Sequence, residues 1–369
     1  TIYNMKINIL LPYKEKFDEN KASSVSITVR NNLCHSKYVN QIRVFGQNVD
    51  NPLFKDNFIG LKHSILSFQS KNRFLASKMI EIISKDSENE QLIEIHNRPY
   101  LVDQIAQGNK FPISLFFHND PQTMKGSKSI KDRENLLEKC RAIFCVSKYI
   151  RNLFLDGVSK NHKKVHVLYN GVDKKLKKFP KKKKEILFVG RLVPEKGVHH
   201  YVDCIKLIAD TYTDWNFGLI GSYKLGENKN KNQYANKIIN KFTKIGSKAK
   251  FYGFQNHEFV QEKMKTASII VIPSIWQEPF GLVAAEAMSN GMCIIASKVG
   301  GIPEIIDKYG ILIEKINKKK LEQNLLDLLN DEKKIRFYQM KSWENFKHSS
   351  VNSSRKLDEF REVIFRHYF

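Results

Sequence analysis

The sequence predicts an α/β protein of two domains, each built on a parallel sheet with helices between the strands. Three observations carry this. Short apolar runs rich in β-branched residues recur along the chain, each stopped by proline, glycine or a polar cluster. That is the pattern of strands buried on both faces. Stretches of good helix formers separate them. The chain has 369 residues, 41% of them hydrophobic, enough for two cores of ordinary size and too apolar for disorder.

Lys6 to Leu11 is the first strand, stopped by Pro12. A polar loop, Tyr13 to Ser26, leads into a helix over Val25 to Asn32, and Gln41 to Phe45 is the second strand. From Leu61 to Ser84 apolar residues recur every three to four positions, at Leu61, Ile65, Leu66, Phe68, Phe74, Leu75, Met79, Ile80 and Ile83. The spacing predicts one long helix with a core face, with Lys62, Lys71, Arg73 and Lys78 between the apolar positions. Gln91 to His96 and Phe111 to Phe117 are strands that end in polar clusters, His96-Asn97-Arg98-Pro99 and His118-Asn119-Asp120-Pro121. Ala142 to Ser147 is a strand, Lys148 to Leu155 opens a helix and Val165 to Leu168 is a strand again.

Asn170-Gly171-Val172-Asp173 closes the first domain, taken as residues 1–173. The run KKLKKFPKKKK, Lys174 to Lys184, reads as a solvated linker, with an anion-binding patch as the other reading. A second domain, 185–345, opens on the strand Glu185 to Val189, the loop Gly190 to Gly197 and a helix over Val198 to Tyr212. Phe217 to Gly221 is a strand, and Gly226 to Asn240 is a lysine-rich loop that leads into a helix. Lys250 to Phe254 is strand plus turn, Met292 to Ser297 a strand, and Gly300 to Glu304 turns into a helix. Gly310 to Ile313 is an edge strand, Lys319 to Asn330 is amphipathic, and Trp343 to Phe369 reads mostly helical.

The most informative stretch is ASIIVIPSIWQEPFGLVAAEAMSNG, Ala267 to Gly291. It reads as a buried strand, Ser268 to Ile272, a loop, and a helix from Gly281, with Gly291 where a helix C-cap glycine would stand. Ligands of open α/β sheets bind where strands end and helices begin. Two carboxylates belong to this unit, Glu278 in the loop and Glu286 inside the helix. Between them is the helix start, whose free N–H groups and dipole favour an anion. A carboxylate, an anion site and a second carboxylate suit a sugar, a diphosphate and a ribose in turn.

EPFGLVAAE resembles the E-x7-E signature of retaining glycosyltransferases of the GT-B type, glycosyltransferase family 4 in particular, and GR-x4-KG at Gly190 to Gly197 resembles the same family's phosphate loop. The resemblance spans nearly the whole chain and is strongest over 165–310. It implies two Rossmann-like domains facing a central cleft, with the last segment, 346–369, returning to the first domain. It implies that Glu278 contacts the donor hexose, that Glu286 contacts the ribose, and that Pro279, Phe280, Gly281 and Leu282 complete the donor-binding stretch. Arg191 and Lys196 would clamp the diphosphate, Arg as a planar fork and Lys as a point charge. His118 would lie beside the donor sugar. Arg98 and Asp120 are acceptor-side candidates. So are Ser23 and Ser24, which stand where the family carries a glycine-rich loop. The clusters HNRP and HNDP are similar to those of family members that build cell-envelope glycans, lipopolysaccharide core included. No cofactor and no metal are implied, and the chain has no Asp-x-Asp triplet. The donor is expected to be a nucleotide sugar, UDP-linked rather than GDP-linked.

The formal net charge is +24, from 26 basic and 16 acidic residues in 1–170 and 36 and 22 in 171–369. Nucleic acid, an anionic membrane face or an anionic substrate would each suit it, as would a lysine-rich codon bias. A nucleic-acid binder is disfavoured because no basic–aromatic stripe appears. A nucleotide-sugar epimerase or hydrolase of the same fold is the alternative enzyme. Basic residues interleave with Leu61, Ile65, Phe68 and Phe74, and Lys148 and Arg151 with Tyr149, Ile150, Leu153 and Phe154. These suggest peripheral contact with an anionic membrane and a lipid-linked or glycan acceptor. Five scattered cysteines without metal spacing suggest reduced cytosolic thiols. No apolar run approaches the roughly 18 residues a membrane span needs. The expected location is the cytoplasmic face of the inner membrane. Met5 reads as the natural start, with Thr1 to Asn4 upstream of it.

Overall fold

The computed structural model describes residues 5–19, 21–63, 68–86, 90–159, 162–222 and 229–367, the side chains of 229–232 excepted. The chain divides into two compact units, residues 1–171 with 348–369, and residues 172–347.

The first unit is a seven-stranded sheet of β1 (Lys6–Leu10), β2 (Ile42–Gln47), β3 (Phe58–Leu61), β4 (Gln91–His96), β5 (Ile113–Phe117), β6 (Ala142–Cys145) and β7 (Val165–Val167). Their order is β3-β2-β1-β4-β5-β6-β7, and every pairing is parallel. The chain winds outward from β1 to one side and from β4 to the other, so the order reverses between these two strands. All residues of β5 and β6 are buried, which explains why every residue but Ser114 is apolar.

The second unit repeats the plan with β8 (Lys183–Val189), β9 (Asn216–Ile220), β10 (Ala249–Gly253), β11 (Ala267–Ile272), β12 (Cys293–Ser297) and β13 (Ile311–Ile313). This sheet is also parallel throughout, in the order β10-β9-β8-β11-β12-β13. Its reversal lies between β8 and β11. One core of Ile186, Phe188, Tyr201, Phe217, Phe242 and Ile295, among others, lies between this sheet and the helices around it.

The terminal helix Ser350–Arg366 belongs to the first unit and packs on the helix Ser24–Cys34. Its Ser354 hydroxyl donates to Asn32 O at 2.7 Å, and Ser353 donates to Asn32 Oδ1 at 3.0 Å. Arg361, with 1% exposure, forms a bidentate pair with Glu94 of β4 at 2.7 and 2.9 Å and reaches Asp358 at 2.9 Å. Asp358 in turn accepts from the Ser36 hydroxyl at 2.8 Å and from Lys37 N at 2.9 Å. A guanidinium this deeply buried is tolerable only because both carboxylates hold it in its charged form.

The structure corrects four expectations. The long helix over 61–84 is in fact strand β3, ending at Leu61, followed after an interval by the helix Lys71–Ser84. Ile65 and Leu66 lie outside the described residues. Within that helix the period of three to four is genuine: Leu75, Met79 and Ile83 are buried. Residues 174–184 are not a free linker: Lys183 and Lys184 already belong to β8, and the whole run lies in the second unit. The lysine-rich loop expected over 226–240 is helical from Lys229, in the helix Lys229–Thr243, while the tail is mostly helical as expected, in Ser350–Arg366 after Glu332–Glu344. Finally, only some of the apolar residues expected to meet a membrane are exposed, Phe68 among them. Ile150 and Phe154 are fully buried, and Phe74 packs edge-on against His63 at 5.0 Å. No described helix is long and apolar enough to cross a membrane.

Candidate functional site

The second unit brings its site residues together at the reversal between β8 and β11. After β8 the chain makes a short turn, Pro194–Lys196, before the helix Val198–Ile208. After β11, Pro273 and Ser274 open the loop that carries Glu278. Gly197 joins the two loops: its φ is +63°, and a Cβ there would stand 1.8 Å from Pro273 O. Only glycine permits that conformation and that approach. Ile275 N and Trp276 N then donate to Glu195 O at 2.9 and 3.1 Å. With the backbones tied, Lys196 Nζ forms an ion pair with Glu278 Oε1, and the Ser274 hydroxyl donates to the same oxygen at 2.7 Å.

The far side of the loop is fixed equally closely. Gly301 N donates to Glu278 O at 2.7 Å, and Gly300 N donates to Gln277 Oε1 at 2.7 Å. Gly300 has φ +54°, and a Cβ there would lie 2.1 Å from Glu278 O. The loop after β12 therefore presses on the backbone of the candidate acid. Phe280 is buried, and Gly281 caps the helix Leu282–Ser289. Ala284 N and Ala285 N both donate to Gly281 O, at 3.0 and 3.1 Å, whereas the first-turn amides of Leu282 and Val283 have no acceptor within the helix. The Lys196 ammonium and these amides belong to the segments after β8 and β11, and Arg191 follows β8 as an exposed cation. Arg191 has no ion-pair partner among the described residues.

Glu286 lies farther along the helix, its side chain mostly covered. Its Oε1 meets His257 Nε2 at 2.9 Å, and Gln261 and Asn290 extend the polar chain. Ser274 and His257 were not among the candidates read from sequence. Ser274 stood in the quoted Pro-Ser pair, but nothing about a serine there announces a bond to Glu278. His257 gave no signal, because its partner is 29 residues away on another helix.

The remaining candidates belong to the first unit. His118 follows β5 and is 9% exposed. Its Nε2 lies 2.8 Å from His96 Nδ1 at the end of β4, and the two rings stack at 5.1 Å. Burial pulls His118 down to about 4, and His96 lies well below the ordinary histidine value for the same reason, with His118 and Arg361 adding to the effect. Both imidazoles are therefore neutral at pH 7. Asn97, at φ +50°, accepts from His118 N through Oδ1 at 2.8 Å, so the Asn of HNRP fixes the backbone of HNDP. A cavity of about 10 Å³ beside His118 is lined by Thr28, Asn32, Tyr169 and Asn170, among others.

Two acceptor-side candidates have local structural work. Ser23 caps the helix Ser24–Cys34, accepting from Ser26 N at 3.3 Å. Asp120 caps the turn Pro121–Thr123, accepting from Gln122 N at 2.8 Å. Ser24 is exposed at the first helical position. Arg98 folds back on its neighbour, donating to Asn97 O at 2.6 Å.

Residues 172–341, nearly the whole second unit, match the model of the family described as glycosyl transferases group 1. The match covers a little under half of the chain. An uncharacterised glycosyltransferase of Methanocaldococcus jannaschii is 40% identical over 193 residues, covering 52% of this chain and 50% of that protein. The chain thus spans half the length of that curated relative. A lipopolysaccharide 1,2-N-acetylglucosaminetransferase of Salmonella typhimurium is 27% identical over 121 residues, covering 33% of this chain and 32% of that one. Among solved structures, Anabaena HepE in complex with UDP superposes with a TM-score of 0.75 at 18% identity, covering 97% of this chain and 100% of that one. At that identity the likeness is one of fold: two Rossmann-like parallel-sheet domains with GT-B neighbours. The matched segment of the glycosyltransferase family includes Arg191, Lys196, Glu278 and Glu286.

Proposed function

We propose that this protein transfers a hexose, with retention, from a nucleoside diphosphate sugar to a hydroxyl of a cell-envelope acceptor. Lipopolysaccharide core is the favoured acceptor and UDP the favoured nucleotide. The observation that carries the reading is the pairing of Lys196 with Glu278 at the reversal between β8 and β11, beside the start of the helix Leu282–Ser289. Strand order, cations and helix dipole converge there as a diphosphate requires. In this reading Arg191, Lys196 and the first-turn amides hold the diphosphate and stabilise its charge as the glycosidic bond breaks. Glu278 takes hexose hydroxyls once Lys196 turns to phosphate, and Glu286 takes the ribose. The leaving phosphate oxygen accepts the acceptor proton as the new bond forms on the same face, so no side-chain nucleophile and no metal are needed. His118, neutral at pH 7, serves as a hydrogen-bonding group and not as a charged acid.

The test is transfer of labelled sugar from a panel of nucleotide sugars into a membrane extract, in the presence of EDTA. Label in an extractable glycan of unchanged anomeric configuration is the expected result. Release of free sugar alone, with or without acceptor, would overturn transfer in favour of hydrolysis.

A further inference from the structure

The segment Lys174 to Lys184 holds eight lysines in eleven residues, and the donor site does not use it. Its backbone is firmly anchored. The Lys182 ammonium donates to Met264 O, Lys265 O and Asn290 O, at 3.1, 3.0 and 2.7 Å. It thereby caps the C-terminal ends of two helices, His257–Thr266 and Leu282–Ser289, where carbonyls are left over and a cation is favoured. Lys174 sits 3.6 Å from the Trp343 ring centroid and donates to Trp343 O at 2.9 Å. Phe179 packs edge-on against Trp343, and the Arg336 guanidinium lies 4.0 Å from the Phe179 ring.

Lys184 pairs with Asp214 and Glu332 at 2.8 and 2.6 Å, and the remaining lysines of the run line one cavity of about 530 Å³. It is lined by Lys175, Lys177, Lys178, Lys181, Lys183 and Lys265, with Leu176, Pro180 and Thr266 as an apolar floor. No acidic residue lines it. The first five lysines have no ion-pair partner among the described residues, and Lys265 has only the exposed Glu262 at 3.4 Å. Six ammonium groups facing one space repel one another unless an anion enters. The cavity lies at the N-terminal end of β8, and the donor loop follows its C-terminal end. Lys183 begins β8, whose far end is Val189, about 20 Å away at roughly 3.3 Å per residue. Lysines without arginine favour diffuse phosphate density over one fixed bidentate anion.

We propose that this groove binds the phosphates of an anionic phospholipid surface and so brings the enzyme to its membrane. The groove is argued from its own residues; only the choice of a lipid as the phosphate source rests on the envelope-acceptor reading. Membrane contact then falls on the second unit, whereas the sequence suggested the first.

The experiment is co-sedimentation of the full chain with vesicles of phosphatidylcholine alone or with phosphatidylglycerol, across a salt series. The wild type and K177A/K178A/K181A are compared, with UDP calorimetry on both. The expected result is binding to the anionic vesicles only, lost as salt rises. The variant should bind them at least tenfold more weakly. Its UDP affinity and thermal midpoint should match the wild type. Equal binding by the variant, equal binding to neutral vesicles, or no vesicle binding would each overturn the proposal. Binding of sodium triphosphate without vesicle binding would make the groove a soluble polyphosphate site and would also overturn the lipid. Failure of UDP to bind either protein would strike the donor-site reading and leave the vesicle result standing.

Discussion

Lys196 and Glu278, 82 residues apart, form an ion pair that joins the loop after β8 to the loop after β11. Each engages the other, and the Ser274 hydroxyl donates to the same Glu278 oxygen. A donor diphosphate must therefore draw Lys196 away from Glu278, which frees the carboxylate for sugar hydroxyls. The pair acts as a placeholder that keeps both groups oriented and spares each an unpaired charge.

Lys196→Ala and Arg191→Ala should cut turnover far more than stability. Both groups are partly exposed, and ion pairs in such settings contribute about 0–1 kcal/mol to folding. Their loss from a developing diphosphate charge falls on the chemical step. Single-turnover rates and thermal midpoints measured together check this, with EDTA present throughout. A rate that collapses on chelation and returns with magnesium would contradict it.

Glu286→Ala should weaken UDP binding by about 1.5–3 kcal/mol, the range for a hydrogen bond to a charged group. Calorimetry is the measurement, and unchanged affinity for both UDP and GDP would remove Glu286 from the site. His257→Ala should give a smaller loss, since it acts only through Glu286 at 2.9 Å.

His118→Ala should keep nucleotide affinity and lose most transfer, and wild-type turnover would make the residue purely structural. A pH consequence follows from the same burial. The folded-state pKa of about 4 lies below the unfolded value near 6.5, so the unfolded chain binds more protons between them. Stability carried by the neutral imidazole is complete above pH 6.5 and is lost as pH falls towards 4. His118→Asn should flatten that slope in denaturant titrations at pH 7 and pH 5.

Arg361→Ala should destabilise the first unit by about 3–5 kcal/mol, because Glu94 and Asp358 would remain buried without their cation. Replacing Arg361 and Glu94 together with Met and Leu should cost much less. Chemical denaturation curves of both variants distinguish a buried-charge penalty from simple loss of packing.

The sequence by itself determined the local pieces. Buried parallel strands such as β5, β6 and β11 announce themselves because both faces need apolar side chains. EPFGLVAAE and GR-x4-KG were legible because a phosphate loop constrains residue types at fixed short spacing. The tertiary structure alone decided which distant residues meet. His96 beside His118, His257 beside Glu286 and Ser274 beneath Glu278 depend on strand order, and no local pattern encodes a partner on another element. Periodicity misled at Leu61, which closes strand β3, because apolar spacing without packing to support it carries no helix. Composition misled over 174–184. A lysine run looks solvated until two helix ends supply carbonyls for Lys182 and Trp343 supplies a ring for Lys174, and those acceptors exist only once the second unit has folded.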